Sequence, residues 1–331
     1  MKSRYWQMIR GICILAVIMI HCPTGESREA QTIWLVLRQL INFPVAVFIF
    51  MAGYFVKPEK VTMRWGYLKN RGGRLIVPFL LWSTLYTIKN VIFGGTYSWK
   101  EVLFAFVTGQ SAAPLYYILV MLQLMLLTPS LVRIENNQWL YAVTPIYLCG
   151  LYGWNFCFGS TPPLYGTIFP AWLIFYLLGM DAKKGKLESW STKVSIVWVA
   201  VGLLLALVES FALLKAGCSS AFACSQIKFS SFIYAGAIVL LLVKNQQLEG
   251  RLSNFESALG KVGDDSYGIF YSHMMVMYAV SKILRITGLA SVWVAFWILN
   301  FIFTVLLSFF LVELAKKLIS NRKMQVVLGL I

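Results

Sequence analysis

The 331-residue chain is 59% hydrophobic and only 13% charged, with a mean hydropathy of +0.72 and a formal net charge of +16. Soluble domains carry about 25% charged residues, so this composition excludes a fold whose surface mostly faces water. The cations do not point to nucleic acid, because Lys and Arg sit in short clusters between apolar runs rather than along one stripe.

A membrane-spanning helix takes about 20 mostly apolar residues. In chain order the apolar runs predict spans at Tyr5–His21, Ile33–Phe55, Leu75–Phe93, Pro114–Leu131, Trp139–Trp154, Ile168–Met180, Val194–Leu214, Phe229–Val243, Ser266–Ile286 and Val292–Val312. The stretch Trp99–Val107 is too short to span and reads as an interfacial or re-entrant helix. Met1–Cys22 has the basic start and apolar centre of a signal peptide. No small-x-small cleavage site follows, so it reads as a retained first span.

The expected fold is therefore all-α: a polytopic membrane bundle of about ten transmembrane helices forming a single domain, residues 1–331, with no polar segment long enough to fold alone. When loops are assigned alternately to two sides, 21 of the 29 Lys and Arg residues fall on one, including Lys2, Arg4, Lys57, Lys183, Arg251 and Lys317. The positive-inside rule makes that side cytoplasmic and places both termini there. The six cysteines show no CxxC pair or metal-ligand spacing, so no metal is expected. Cys218 and Cys224 share one predicted external loop, where a disulfide is permitted.

Ionisable groups inside a bilayer are costly and face a bundle interior or a wet cavity. The only two histidines, His21 and His273, both fall within predicted spans. Each admits the plain reading of a buried polar group with a hydrogen-bond partner. Arg10 lies eleven residues before His21, about 1100° around a helix and about 16 Å along it. One helix face would then carry a cation near one membrane surface and an imidazole near the other, as a polar conduit requires. Snorkelling explains Arg10 equally well.

Arg71 and Arg74, one helical turn apart at the start of the third span, could grip a phosphate with two guanidiniums, with Lys69 close by. The competing reading is that they only set topology. Arg38 and Asn42 are also one turn apart, in the second span. Glu209 and Glu313 are explained by snorkelling, Asp264 and Asp265 by capping the ninth span, and Tyr116 and Tyr117 by packing.

Five blocks in order resemble acyltransferase family three, a family of membrane enzymes. Arg10-Gly11 through His21 is similar to that family's arginine, ten residues, histidine signature. Phe43-Pro-Val-Ala-Val-Phe-Ile-Phe-Met-Ala-Gly-Tyr-Phe55 resembles its second helix, and Tyr67-Leu-Lys-Asn-Arg-Gly-Gly-Arg-Leu-Ile-Val-Pro78 its entry to the third. Pro114-Leu-Tyr-Tyr-Ile118 and Gly260 through His273 resemble two later blocks. Departures are Ala52 for the usual serine, Tyr116 for a tryptophan, and Asp264-Asp265; none touches the Arg/His set.

The resemblance implies O-acyl transfer, most simply O-acetyl transfer. The donor is cytoplasmic acyl-coenzyme A, and the acceptor is a hydroxyl of a carbohydrate or lipid-linked sugar of a bacterial cell envelope. It implies coenzyme A phosphates at Arg71, Arg74, Arg10 and Lys69, and His21 as general base, its neutral imidazole having an ordinary pKa near 6.5. His273, Arg38, Tyr271 and Asn42 are the candidate oxyanion donors. A bacterial cytoplasmic membrane and contact with lipid are expected; homo-oligomerisation is left open. The rival classes are a flippase for a lipid-linked sugar and a non-catalytic sensor or assembly subunit.

Overall fold

The computed structural model describes residues 3–24, 27–61, 64–94, 98–134, 138–187, 191–249 and 253–331. Lys2 and Arg251, two of the cations used to assign orientation, lie outside the described residues. Sixteen α-helices run in chain order, with no strand among the described residues: α1 Arg4–His21, α2 Arg28–Leu40, α3 Pro44–Tyr54, α4 Pro58–Val61, α5 Arg64–Gly94, α6 Trp99–Thr108, α7 Tyr116–Arg133 and α8 Val143–Phe158. Then follow α9 Leu173–Lys183, α10 Thr192–Lys215, α11 Ser220–Ala223, α12 Phe229–Lys244, α13 Ser253–Asp264, α14 Ser266–Ile286, α15 Trp293–Leu318 and α16 Arg322–Val327.

Helix covers most of every predicted span, and six stretches are long and apolar enough to cross a membrane: Glu29–Tyr54, Gly66–Gly94, Ala113–Arg133, Thr192–Lys215, Phe229–Gln247 and Trp293–Leu318. The other predicted spans fail that test for two reasons. Helices α1 and α14 are diluted by polar residues such as Gln7, Arg10 and His273. Helices α8 and α9 are only 16 and 11 residues long. The outer faces of α10 and α15 expose Leu204, Val208, Leu306 and Phe310. So much uncovered apolar surface marks a membrane protein.

Three sequence readings are corrected. The second predicted span, Ile33–Phe55, is two helices, because the chain breaks at Ile41–Phe43 and restarts at Pro44. Proline has no N–H and suits the first turn of a new helix. Asp265 holds the N-cap position of α14 without bonding the helix N-terminus; its carboxylate binds Lys316 of α15 instead. Glu209 does not snorkel: Tyr152 and Ser230 both donate to it. Cys218 and Cys224 are free thiols.

The first helix is the centre of the bundle. Its side chains from Tyr5 to Ile20 are mostly buried, against α13, α3, α14 and α15. Ser3 starts it by accepting a bond from Trp6 N, and it ends at Cys22 just before Pro23. Its closest neighbour is α13, at a crossing where backbones touch. A Cβ on Gly11 would collide with the Leu259 carbonyl, and one on Gly263 with that of Gln7. A similar seam joins α3 to α9, where Gly53 meets the Tyr176 carbonyl and Gly179 that of Phe50. Small residues that admit close backbone approach are the usual device for joining helices in lipid, where burial supplies no hydrophobic drive between them.

Overpacking such a contact costs about 1–3 kcal/mol. Gly263→Val is therefore expected to lower the thermal unfolding midpoint of the detergent-solubilised protein by several degrees. Gly150→Ala, where an added Cβ meets nothing within 4 Å, is expected to leave it unchanged or raise it, since alanine favours helix. Equal midpoints for the two variants would contradict the seam.

Candidate active site

Helices α1, α2, α3, α5, α7, α13, α14, α15 and α16 contribute to the wall of a cavity of about 900 Å³. That is at the upper end of the roughly 300–1,000 Å³ range of small-molecule sites. Six cations line it, Arg10, Arg38, Arg71, Arg74, Lys316 and Arg322, against one side-chain carboxylate among the described lining residues, Asp264. Lys316 is paired with Asp265, and Asp264 accepts a hydrogen bond from Gln7 Nε2 at 2.8 Å. Arg71 donates to the Tyr67 hydroxyl at 3.0 Å, and Arg10 donates to Gln7 Oε1 at 3.3 Å beneath the Phe55 ring. Among the described ion pairs none engages Arg10, Arg71, Arg74 or Arg322. A cluster of guanidiniums without carboxylate partners leaves their donors available to an anion.

His21 and Arg38 line the same cavity. Arg38 is held against the end of α1, its Nη1 donating to the Ile20 carbonyl at 2.9 Å and its Nε to Asn42 Oδ1 at 3.0 Å. Asn42 is buried in the break between α2 and α3, and its Nδ2 donates to the Cys224 carbonyl at 3.0 Å. Asn42 is thus a positioning residue for Arg38 and does not line the cavity. Arg10 and His21 share the cavity wall, on the single helix face that their spacing predicts.

His273 stands behind His21, fully buried, with ring centroids 5.8 Å apart. Its Nδ1 lies 3.0 Å from the Ile269 carbonyl of the preceding helical turn. A carbonyl oxygen only accepts, so Nδ1 carries the proton in the neutral ring, and Nε2 is left as an acceptor. No described group bonds Nε2. That arrangement removes a neutral His273 from the oxyanion donors and makes it a hydrogen-bond acceptor beside His21.

Two other sequence candidates lie elsewhere. Lys69 is exposed on α5 and does not line the cavity. Tyr271 is fully buried, stacked on Trp82, its hydroxyl 3.2 Å from that of Tyr267. Conversely, Tyr116, Tyr117 and Tyr267 line the cavity, as do Lys316 and Arg322 from the far end of the sequence. Tyr116 and Tyr117 stood in the sequence next to Pro114, among aromatic residues that packing alone explained. Lys316 and Arg322 had only their charge to distinguish them from topology signals.

A helical membrane bundle enclosing a cationic cavity that also reaches an imidazole is the class defined by this geometry. The chain belongs to acyltransferase family 3, whose acyltransferase domain matches residues 3–313. No curated protein and no solved structure matches it. The five sequence blocks that resemble the family all fall inside the matched region.

With only two histidines in the chain, the tautomer assignment is directly checkable. Histidine-selective ¹⁵N NMR, with His21→Gln to separate the two rings, is expected to show His273 protonated at Nδ1. A ring protonated at Nε2 would contradict the Ile269 contact.

Proposed function

We propose that this protein is an integral membrane O-acyltransferase, in the simplest case an O-acetyltransferase. It takes the acyl group from cytoplasmic acyl-coenzyme A and passes it to a hydroxyl of a cell-envelope sugar or polysaccharide precursor. The observation that carries the reading is one continuous cavity with Arg10, Arg71 and Arg74 in its wall as well as His21. Arg10 and His21 are separated by about 16 Å of helix axis, a distance suited to a long donor with phosphates at one end and a thioester at the other. Family membership supports acyl transfer over a flippase or a sensor.

In this reading the phosphates of the donor bind Arg71, Arg74 and Arg10 by charge-assisted hydrogen bonds, and Lys69 attracts them from outside the cavity. Lys316 and Arg322 add positive potential. The thioester lies beside His21. Neutral imidazole takes the proton of the acceptor hydroxyl as its oxygen attacks the thioester carbonyl. Arg38 donates to the oxyanion that forms, its guanidinium fixed in advance by Ile20 and Asn42. The C–S bond then breaks, and the thiolate leaves as coenzyme A thiol with the proton from His21. His273 packs against the His21 ring from behind and helps to hold its position.

The membrane frame follows from the same reading. Ten spans, with α1, α8, α9 and α14 joining the six apolar ones, form one domain with both termini in the cytoplasm of a bacterial cell. The more polar of these four joining helices, α1 and α14, lie against the cavity and their neighbours.

Two variants divide the reading. His21→Ala is expected to abolish transfer of labelled acetyl from acetyl-coenzyme A to a sugar acceptor while coenzyme A binding, measured by calorimetry in nanodiscs, stays within about twofold. Arg71→Ala is expected to weaken that binding by about tenfold, as for a lost charge-assisted bond. Retained turnover in folded His21→Ala, or unchanged coenzyme A affinity in Arg71→Ala, would overturn the respective role.

A further inference from the structure

A second cavity, of about 570 Å³, opens beside the first. Its walls come from three connections: Gly109–Ala113 between α6 and α7, Leu164–Thr167 before α9, and Ala221–Ile227 leading into α12. The uncharged polar and aromatic residues on it are Gln110, Tyr116, Tyr165, Thr167, Trp172, Ser225 and Gln226. Arg38 is the single charged residue in the described wall, so the second cavity lacks the cationic character of the first.

Three residues belong to both cavities: Arg38, Tyr116 and Gln226. The two spaces therefore meet at the His21 end of α1, where Arg38 is bound to the Ile20 carbonyl. Gln226 Oε1 is buried there with no hydrogen-bond partner among the described groups. A buried amide oxygen without a partner is costly, and a small rotation would offer it to a ligand hydroxyl. The wall also contains Leu164, the only described non-glycine residue with positive φ, at 60°. Thr167 bonds its carbonyl through both N–H, at 2.9 Å, and Oγ1, at 2.6 Å. A side chain held in the left-handed region costs free energy, and such strain gathers at binding sites.

We propose that this second cavity is the acceptor site and that it takes a neutral, polyhydroxylated ring, a sugar, while the donor occupies the first. Aromatic faces flanked by amide and hydroxyl groups match the alternating apolar and hydroxylated faces of a sugar, and apart from Arg38, already held by the Ile20 carbonyl and Asn42, the described wall gives no counterion for an anionic one. Because the cavities are distinct but share Arg38, Tyr116 and Gln226, both substrates bind together. Transfer then passes directly from thioester to sugar hydroxyl through a ternary complex, with Gln226 positioning the acceptor. The assignment rests on the acyltransferase reading above.

The test separates the two readings by measuring two ligands on one protein in nanodiscs. The probes are coenzyme A and octyl glucoside, a neutral hexose on an alkyl chain, used below its micellar concentration. Gln226→Ala and Gln110→Ala are expected to raise the half-saturating octyl glucoside concentration about threefold to tenfold, and Gln110→Ala, outside the first cavity, to leave coenzyme A binding within twofold. Arg74→Ala is expected to do the reverse. Octyl glucoside is also expected to bind protein already saturated with coenzyme A, with a half-saturating concentration within twofold of that for the free protein.

Competition between the two probes, or Gln variants that leave octyl glucoside binding unchanged, would overturn the separate acceptor site. Failure of octyl glucoside to bind at all would overturn the neutral-sugar assignment. In each of those cases intact coenzyme A binding would leave the donor reading standing, and its loss in wild-type protein would remove both.

Discussion

The contact on which the site depends is the backbone-to-backbone crossing of α1 and α13 at Gly11 and Gly263. It fixes the rotation of α1 about its own axis. At 100° per residue, Arg10 lies about 100° from Gly11 and His21 about 80° from it, on the same side. Turning Gly11 into α13 therefore swings both polar residues away from that seam and toward the cavity. The glycine in the arginine–histidine block is thus a steric necessity, and the spacing of the two functional groups has meaning only because the glycine aims them. Gly53 acts in parallel on the opposite wall: its contact with α9 places α3, whose Val45, Phe48 and Met51 complete the cavity lining.

Much of this was legible in the sequence because periodicity reports which residues share a helix face. Arg10 with His21, and Arg71 with Arg74, are pairs within one helix, and each pair does lie in one wall. What periodicity does not report is the neighbour across the gap. Tyr271 sits one residue pair away from His273 yet stacks on Trp82 of α5, while Tyr267, one turn earlier, reaches the cavity. Lys316 and Arg322 come from helices more than 200 residues beyond Arg71 in sequence, so only the packed bundle brings them together. The break in the second span was hidden by hydropathy, since Leu40 to Val45 reads as almost continuous apolar chain. Pro44 was the available signal, because a proline suits the first turn of a new helix, as it does here although Phe43 before it keeps right-handed helical angles.

The remaining buried charges serve the same site from a distance. Lys228 is fully buried, and its three ammonium protons meet three acceptors: Gln39 Oε1 at 3.2 Å, Ser210 Oγ at 2.5 Å and the Ala223 carbonyl at 2.8 Å. Glu209, next to Ser210, binds Tyr152 of α8 and Ser230 of α12. A lone buried ion is expensive and becomes tolerable only when its hydrogen-bonding capacity is met. Here that requirement ties α2, α8, α10 and α12 together around the Ala221–Ile227 connection. The same connection supplies the Cys224 carbonyl that holds Asn42, and Asn42 holds Arg38.

That chain of contacts explains why the break between α2 and α3 occurs where it does. An unbroken helix would carry Asn42 past the Ala221–Ile227 loop and leave its amide in an apolar setting. Stopping α2 at Leu40 lets Asn42 turn inward, where its oxygen takes the Arg38 Nε–H and its nitrogen gives to Cys224. Arg38 is then held through both Nε and Nη1 while its side chain still lines both cavities. In the proposed reaction Arg38 faces a developing oxyanion, and a charge in that role is most effective when it needs no reorientation as the reaction proceeds. The interruption of an otherwise regular span is thus the structural condition for a preorganised cation at the meeting point of the two cavities.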